Sequence, residues 1–403
     1  MGPSRTNDRA GAAARRRRGP LGMAVAPPPP RSGPDLPVDP AHRHFQVGLA
    51  SYAAGDFAGA IQALERVVRV EPDDAKAWLY LGRAHQQNGE PWSAGRALRR
   101  AVSLEQDSVE AWFDLGNVED ALDHHDAAIV AYEQALALAP EMSEAWNNLG
   151  NALASQGRTD EAARCYERAL EQRPDLHEAW YNLGNACFAA RQHERAIECY
   201  RRAVELFPAS HQAWYNLGFA LAREGDLSGA VDGYRRAVTL EPDDHESWYN
   251  LGNALFDLGE LATAIEAYRS ALELRSDDHE IWNNLGNALF ETDQQDESIR
   301  CYRRAVELQP DYDPSWNNLA GALDESGIPE EAELAFDRAI ALNPRQPTYR
   351  LLFASLLARR GRAAEALDQL TVALELKPDM RNLLPVFGEF APLLTQPPLR
   401  RDH

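Results

Sequence analysis

Four histidines recur at one interval and are the residues most suggestive of metal chemistry. Three of them begin the strings HEAWY, HESWY and HEIWN, which match the first half of the zinc-binding pattern HExxH: the four are His177, His211, His245 and His279. Tyr181, Tyr249 or Asn283 stands where the second histidine of that pattern belongs. Equivalent positions on stacked helices lie about 8–10 Å apart, whereas zinc ligands lie about 2.1 Å from one ion. We therefore expect no shared metal and no cofactor.

The placement of the cysteines and the absence of catalytic and nucleotide-binding motifs argue against catalysis. The four cysteines are Cys165, Cys187, Cys199 and Cys301, with no CxxC pair, which argues against a disulfide framework or a zinc site and favours a reducing compartment. Three of them occupy one recurring position, which we interpret as buried packing. The sequence has no GxSxG, GK[ST] or GxGxxG motif and no large block outside its repeats. The sequence therefore predicts that this protein is not an enzyme.

Asparagine amides are the third candidate chemistry, in two series with the same interval. The first series is Asn148, Asn182, Asn216, Asn250, Asn284 and Asn318, and the second is Asn117, Asn151, Asn185, Asn253 and Asn287. Asparagine is a mediocre helix former, so its recurrence within helices needs a reason. A primary amide carries donors and acceptors that match the backbone of an extended peptide. The amides either hold such a peptide or bond to the neighbouring structural unit.

The interval that orders these residues is 34 positions. Tryptophan occupies eight places at this spacing, namely Trp78, Trp112, Trp146, Trp180, Trp214, Trp248, Trp282 and Trp316. Three residues after each tryptophan comes leucine, and the next residue is glycine in every case except Ala320. A small residue follows sixteen positions after tryptophan and an aromatic residue usually follows at twenty. We number positions from this tryptophan, so the two asparagine series are the +2 and +5 asparagines.

This pattern resembles the tetratricopeptide repeat, whose period is about 34 residues and whose signature is W-x2-L-G followed by A-x3-Y/F and proline. The frame extends to ten units, with His44 and Arg350 in place of tryptophan in the end units. Repeats 1 to 10 are 41–74, 75–108, 109–142, 143–176, 177–210, 211–244, 245–278, 279–312, 313–346 and 347–380. The resemblance implies an all-α fold, a right-handed superhelical α-solenoid of about ten helix-turn-helix repeats.

The spacing supports the same architecture independently. Apolar residues at i, i+3, i+4 and i+7 form one stripe of a first helix, and a second stripe begins sixteen positions after tryptophan. Gly157, Gly225 and Gly259 lie between the stripes and suit a left-handed helix end. Each unit is therefore a helical hairpin with two open apolar faces, so neighbouring units must stack. We expect the tryptophans to be buried core residues.

The first helices should line the concave wall of the solenoid. Similar asparagine ladders line the groove of the repeat region of O-linked N-acetylglucosamine transferase, and the resemblance implies that they hold a partner's backbone. The same wall should carry Tyr181, Tyr215 and Tyr249, four phenylalanines (Phe188, Phe219, Phe256 and Phe290) and acids such as Glu178, Glu246 and Glu280. Alanine at Asn182, Asn216 and Asn250 is expected to weaken partner binding with thermal unfolding nearly unchanged.

Charge limits the class of partner. The formal net charge is −21, and residues 1–40 hold seven arginines and three aspartates, so the rest of the chain is more acidic still. The body is therefore not built to neutralise nucleic acid or an anionic membrane. We expect a cytoplasmic protein, with a disordered Pro/Arg-rich segment at 1–40. We expect the apolar tail 381–403 to cap the last repeat or to dock on another molecule, including a second copy.

These observations predict a scaffold that binds extended protein segments carrying basic and apolar residues, without catalysis. The alternative is an accessory or substrate-recognition subunit of an enzyme complex, such as a glycosyltransferase or a secretion assembly. A third hypothesis is an array that assembles only with itself. A clustered basic clamp for a terminal carboxylate is not apparent, since Lys76 and Arg83 lie in one repeat and Arg223 in another.

Overall fold

The structure is a computed structural model that describes residues 40–382, 384 and 388–390. Within them it contains twenty α-helices and no strand. Residues 1–39, where the sequence predicts disorder, lie outside the described residues. The helices are 13 or 14 residues long, which is shorter than the roughly 20 residues that cross a bilayer. None of the described helices is long and apolar enough to span a membrane.

The helices alternate between two series, which we call helices A and helices B. Helices A are α1 (Pro40–Ala53), α3 (Ala75–Gln87), α5 (Val109–Ala121), α7 (Ser143–Ser155), α9 (His177–Ala189), α11 (His211–Arg223), α13 (His245–Asp257), α15 (His279–Glu291), α17 (Asp313–Glu325) and α19 (Pro347–Arg359). Helices B are α2 (Phe57–Val70), α4 (Pro91–Leu104), α6 (His125–Leu138), α8 (Thr159–Gln172), α10 (His193–Leu206), α12 (Leu227–Leu240), α14 (Leu261–Leu274), α16 (Gln295–Leu308), α18 (Pro329–Leu342) and α20 (Ala363–Leu376). Each consecutive A and B pair forms a hairpin, and each hairpin packs on the next, as an α-solenoid requires.

A left-handed residue separates helix A from helix B in every hairpin. Seven of these residues are glycines with φ between +73° and +83°, and they include the three that the sequence singled out. Asp123, Arg191 and Asp293 hold the same position with φ of 58° to 60°. Aspartate tolerates this region better than most residues, so Arg191 is the least suited of the three.

The closest contact within a hairpin joins the +4 glycine of helix A to an aromatic ring of helix B. A Cβ added at Gly116, Gly150, Gly184, Gly252 or Gly286 would lie 2.5–2.6 Å from the nearest ring carbon of the tyrosine sixteen residues later. Those tyrosines are almost completely buried, at 1–2 % exposure. Glycine is therefore required at +4 because the ring occupies the space of a side chain.

The tryptophans differ from the sequence prediction. They are only partly buried, and each indole packs one face against the core. Each indole Nε1–H donates to a backbone carbonyl six residues earlier, as Trp180 does to Pro174 at 2.8 Å and Trp282 does to Ser276 at 2.9 Å. That carbonyl lies in the turn between repeats, so the edge of the ring must face outward. The indole thus fixes the turn that joins one hairpin to the next.

Helices A lie on the inner side of the solenoid. Apart from α9 and α11, helices A of successive repeats contact each other from α1 and α3 to α17 and α19, whereas no two successive helices B approach to the same extent. A stack whose elements are closer on one side curves toward that side, so helices A line the concave surface. The pair α9 and α11 approaches less closely than every other successive pair of helices A.

Part of the C-terminal tail packs on the last hairpin. Among the residues that the structure describes after α20, Pro378–Asn382 and Gly388–Phe390 form short 3₁₀ helices. Met380, Leu384 and Phe390 are at most 5 % exposed and share a core cluster with α19 and α20. Residues 383, 385–387 and 391–403 lie outside the described residues, so docking of this tail on another molecule stays a prediction.

The glycine contacts lead to a first prediction about stability. Gly286→Ala places a methyl group 2.6 Å from the Tyr302 ring and should destabilise the protein by about 1–3 kcal/mol because the ring must shift. Gly321 lies within α17 with nothing near its missing Cβ, so Gly321→Ala should stabilise by about 0.5–1 kcal/mol. Urea unfolding followed by circular dichroism measures both. Equal effects of the two changes would contradict the close-contact argument.

The turn residues lead to a second prediction. Arg191→Gly relieves a left-handed backbone that costs a side-chain-bearing residue about 1–2 kcal/mol, partly offset by the entropy of glycine. The variant should therefore be more stable than the parent by a few tenths to about 1 kcal/mol in the same urea unfolding experiment. Asp123→Gly is the matched control and should gain less, because aspartate adopts this conformation more readily. A loss of stability in Arg191→Gly would show that the arginine side chain contributes more than the backbone costs.

Candidate functional site

The +2 and +5 asparagines bond to each other across every junction where both are present. The Nδ2 of the +2 asparagine donates to the Oδ1 of the +5 asparagine in the preceding repeat. Five such bonds of 2.9–3.0 Å join Asn148 to Asn117, Asn182 to Asn151, Asn216 to Asn185, Asn284 to Asn253, and Asn318 to Asn287. The structure therefore brings both series together into one ladder along the helices A.

The buried tyrosines of helices B hold the +5 asparagines in place. Each tyrosine hydroxyl donates to the Oδ1 of the +5 asparagine in its own repeat at 2.8–2.9 Å, which pairs Tyr132 with Asn117, Tyr166 with Asn151, Tyr200 with Asn185, Tyr268 with Asn253, and Tyr302 with Asn287. Burial raises the pKa of these phenols above their ordinary value, so they remain protonated donors. Each of these Oδ1 atoms accepts two bonds and is saturated.

Apart from Asn148, the +2 asparagines also use their second amide hydrogen within the scaffold. It reaches the +1 side chain of the preceding repeat, which is an asparagine for Asn182 and Asn318, at 3.1 Å in both cases. For Asn216, Asn250 and Asn284 the acceptor is the hydroxyl of Tyr181, Tyr215 or Tyr249, at 3.1–3.3 Å. The amide hydrogens of these asparagines therefore bond to the neighbouring repeat, which is the second of the two interpretations that the sequence allowed.

The ladder contains two kinds of repeat, which differ in whether the Oδ1 of the +2 asparagine accepts a hydrogen bond. In repeats 4, 8 and 9 the +1 residue is asparagine, and its Nδ2 donates to the Oδ1 of Asn148, Asn284 or Asn318 at 3.2–3.4 Å. In repeats 5, 6 and 7 the +1 residue is Tyr181, Tyr215 or Tyr249. No donor of the described chain reaches the Oδ1 of Asn182, Asn216 or Asn250 there. Three consecutive repeats therefore present free carbonyl oxygens to the groove.

Free donors accompany these oxygens at the +5 positions. The Oδ1 of Asn151 and that of Asn185 are saturated, but no acceptor of the described chain lies within bonding distance of either Nδ2. Asn182 and Asn185 thus offer one acceptor and one donor on the same face of α9. A peptide backbone needs this combination, since each of its residues carries one N–H and one C=O.

Small cavities lie between successive helices A next to the ladder. One of about 350 Å³ is lined by Asn151, Ala154, Ser155, Thr159, Tyr166, Asn182, Asn185, Ala186 and Ala189. Its counterpart three repeats later, of about 360 Å³, is lined by Asn253, Phe256, Asp257, Tyr268, Asn284 and Asn287. Their volumes suit single side chains. The ladder is thus flanked by recesses that recur with the repeat.

Exposed acids stand near the starts of helices A in the central and later repeats. Glu178, Glu246 and Glu280 are exposed, and no arginine or lysine of the described chain pairs with them. Burial, with the charge of Glu246 as a further cause, raises the pKa of Tyr215 to about 12. The earlier acid Glu110 is already paired with Arg83 at 2.9 Å. Since Arg83 also pairs with Asp114, it is not available as a clamp for a carboxylate.

The recurring histidines and cysteines have packing contacts. The His177 ring lies 4.6 Å from Phe207 and the His279 ring 4.8 Å from Tyr312, between ring centroids. The described residues contain no group of three or more His, Cys, Asp or Glu side chains that could hold a metal. All four cysteines are buried and unpaired by disulfides, and burial raises the pKa of Cys165 to about 11.

Two features of the groove are not apparent from the +2 and +5 series alone. The first is the +1 position, which decides whether a +2 oxygen is free; its alternation between asparagine and tyrosine is visible in the sequence. The second is Phe219, which takes the +5 position of repeat 6, whereas Phe188, Phe256 and Phe290 occupy the +8 position. Numbering positions from the tryptophan distinguishes Phe219 from the three phenylalanines at +8.

Family profiles match most of the repeat region. Those described as tetratricopeptide repeat match residues 51–118, 109–142, 279–312 and 317–381, and one described as TPR repeat matches 252–293. The profile of the C-terminal domain of cilia and flagella-associated protein 70 matches residues 141–252. Among proteins with curated descriptions, none matches this chain.

Several solved structures resemble part of the chain. A crystal structure of MamA is 29 % identical and covers 41 % of this chain and 91 % of its own, with a TM-score of 0.40. YrrB, described as a TPR protein with an unusual peptide-binding site, is 22 % identical and covers 46 % and 95 %, with a TM-score of 0.44. PilF of Pseudomonas aeruginosa is 20 % identical and covers 51 % and 94 %, with a TM-score of 0.46. The profile matches and the hairpin geometry together show that this chain belongs to the tetratricopeptide repeat family.

Proposed function

We propose that this protein binds an extended peptide segment along the helices A of repeats 5, 6 and 7. The observation that carries the proposal is the free Oδ1 of Asn182, Asn216 and Asn250 in three consecutive repeats. Family membership supports a protein-interaction scaffold, and the ladder gives that scaffold a defined contact surface. The remaining members of the ladder act mainly by keeping these three amides in register.

The hydrogen-bonding pattern favours a main-chain ligand over a side-chain ligand. The three oxygens accept, so they suit backbone N–H groups at regular spacing. The Nδ2 of Asn185 and that of Asn151 donate, so they suit backbone carbonyls. Because the amide donors of the +2 asparagines are fixed by the scaffold, the acceptors are already oriented. This preorganisation lowers the entropy that binding must overcome.

The charge of the groove favours a basic partner. Exposed Glu178, Glu246 and Glu280 have no arginine or lysine partner in the described chain. Such acids attract arginine or lysine and speed encounter with a positively charged segment. The recess lined by Ala154, Ala186 and Ala189 suits an apolar side chain of the partner. The partner is therefore a protein segment that alternates basic and apolar residues.

Repeat proteins of this family are generally non-catalytic scaffolds, and we extend this to propose that the present chain has no catalytic activity. The accessory-subunit hypothesis shares the same groove and differs only in what the partner does. No contact among the described residues favours it over a general scaffold. Affinity purification followed by mass spectrometry distinguishes the two, since an accessory subunit would co-purify with an enzyme.

The binding prediction uses the three asparagines with free oxygens. The triple variant Asn182→Ala, Asn216→Ala and Asn250→Ala should lose about 100-fold in affinity, because each peptide hydrogen bond contributes about 1 kcal/mol. The probe is a peptide of about 12 residues selected from a random displayed library on the full-length chain, and calorimetry gives its Kd. Unlike the expectation from sequence, thermal unfolding should also fall, since the same amides donate within the ladder.

The matched control is the triple variant Asn148→Ala, Asn284→Ala and Asn318→Ala. These side chains also donate within the scaffold, but their oxygens already accept from a neighbouring amide. The control should therefore lose a comparable amount of stability while its peptide affinity changes by less than about threefold. Equal loss of affinity in both triples would show that the ladder acts only through stability, and failure to select any peptide would refute the proposed function.

A further inference from the structure

The asparagine ladder is interrupted at one position in its interior, Phe219. Every other repeat from 3 to 8 has asparagine at +5, and repeat 6 has phenylalanine. The Phe219 ring cannot accept a hydrogen bond from the tyrosine hydroxyl of helix B or from the amide of the +2 asparagine in the next repeat. The interruption lies in the middle of the three repeats with free oxygens.

The neighbours of Phe219 have lost their ladder partners. The Tyr234 hydroxyl has no acceptor in the described chain, although its counterparts in repeats 3, 4, 5, 7 and 8 all donate to a +5 asparagine. Asn250 donates instead to the backbone carbonyl of Glu246 on its own helix, at 3.0 Å. The substitution therefore costs two ladder bonds and leaves an unused hydroxyl donor beside the groove.

An aromatic cluster replaces those bonds. The Phe219 ring lies 5.5 Å from Phe188 and is stacked on Tyr215 at 6.2 Å with an interplanar angle of 11°. The Tyr215 ring lies 5.7 Å from Tyr234. Phe188, Tyr215 and Phe219 are all partly exposed. Of the successive helices A, α9 and α11 pack least closely against each other. An apolar shelf is thus open to the groove between these two helices.

The charges around the shelf determine which side chain fits. Arg223 is exposed one helical turn after Phe219, on the same face of α11, and no carboxylate of the described chain pairs with it. A cationic side chain on the shelf would be repelled by Arg223, although the aromatic rings alone would attract it. Glu178 and Glu246 lie at the opposite ends of the neighbouring helices. The shelf itself therefore suits an apolar side chain, and the acids suit basic residues on either side of it.

We propose that Phe219 is the residue that fixes the register of the bound segment, by holding one obligatory apolar side chain of the partner on the shelf of Phe188, Tyr215 and Phe219. The inference rests on the proposed function and adds the position and chemistry of one anchor. The partner residue is a large aliphatic or aromatic one, flanked by arginine or lysine. The Tyr234 hydroxyl then donates to the backbone carbonyl next to the anchor.

The expected contribution of the anchor follows from burial. A large apolar side chain packed on an open shelf is removed from water on one side only. It therefore gains about half of its full transfer free energy, which corresponds to about tenfold in Kd. Without the shelf, the backbone bonds to the ladder and the contacts of basic residues remain. Loss of the shelf should therefore abolish the preference for one apolar residue without abolishing binding.

The test is Phe219→Asn, which restores the asparagine that the other repeats have at +5. This variant should fold at least as stably as the parent, since Tyr234 and Asn250 regain their ladder partner. Random peptide libraries displayed on phage are selected separately on the full-length parent and on the variant. The parent should select peptides with one fixed apolar position, whose replacement by serine weakens calorimetric binding about tenfold. On Phe219→Asn the same serine peptide and its apolar parent should bind within about twofold of each other.

Trp92→Ala is the control, because Trp92 is 64 % exposed and lies on a helix B. Its selected peptides should match those of the parent. If Phe219→Asn selects peptides with the same fixed apolar position and the same tenfold preference, the inference is wrong while the proposed function stands. If neither the parent nor the variants select any peptide, the proposed function itself fails.

Discussion

The contact between a glycine of helix A and an aromatic ring of helix B determines both the packing and the chemistry of this solenoid. The ring lies where a Cβ would stand, 2.5–2.6 Å away, at the +4 glycines of repeats 3, 4, 5, 7 and 8. Because the ring lies flat on helix A, its hydroxyl reaches the next residue, the +5 asparagine. That bond orients an amide which accepts from the following repeat. A core packing contact is thereby transmitted, bond by bond, to the inner surface.

Under the proposed function, the asparagine ladder serves structure and recognition with different atoms of the same side chains. The amide hydrogens of Asn182 and Asn216 are fully used between repeats, and only their oxygens face the groove unbonded. An alternative in which the amides only stabilise the scaffold explains repeats 4, 8 and 9, where the oxygens are bonded as well. It does not explain why the +1 residue changes to tyrosine in repeats 5, 6 and 7 together. That change frees three acceptors in a row.

Much of this arrangement was predictable from the sequence, because the period of 34 fixes which residues share a position. The hairpins, the left-handed turn residues and the placement of the asparagines on one helix series all follow from spacing. The partial exposure of the tryptophans did not follow, since it depends on an indole bond to a turn carbonyl six residues earlier. The bonding state of each amide oxygen also did not follow, because it depends on distances between side chains of adjacent repeats. Periodicity identifies equivalent residues, but it does not show which of their atoms are already bonded.

Repeat 6 shows why a departure from the period is more informative than its continuation. In a solenoid each repeat contacts only its neighbours, so the cost of losing two ladder bonds at Phe219 is confined to the junctions of repeat 6. A repeat array tolerates such a cost if the other junctions are intact, as they are between repeats 4 and 5, 5 and 6, 7 and 8, and 8 and 9. Local rules are broken in natural proteins chiefly at functional positions. The lost ladder bonds, the aromatic shelf and the free oxygens all involve repeat 6 or its immediate neighbours, which is why we propose that recognition is centred there.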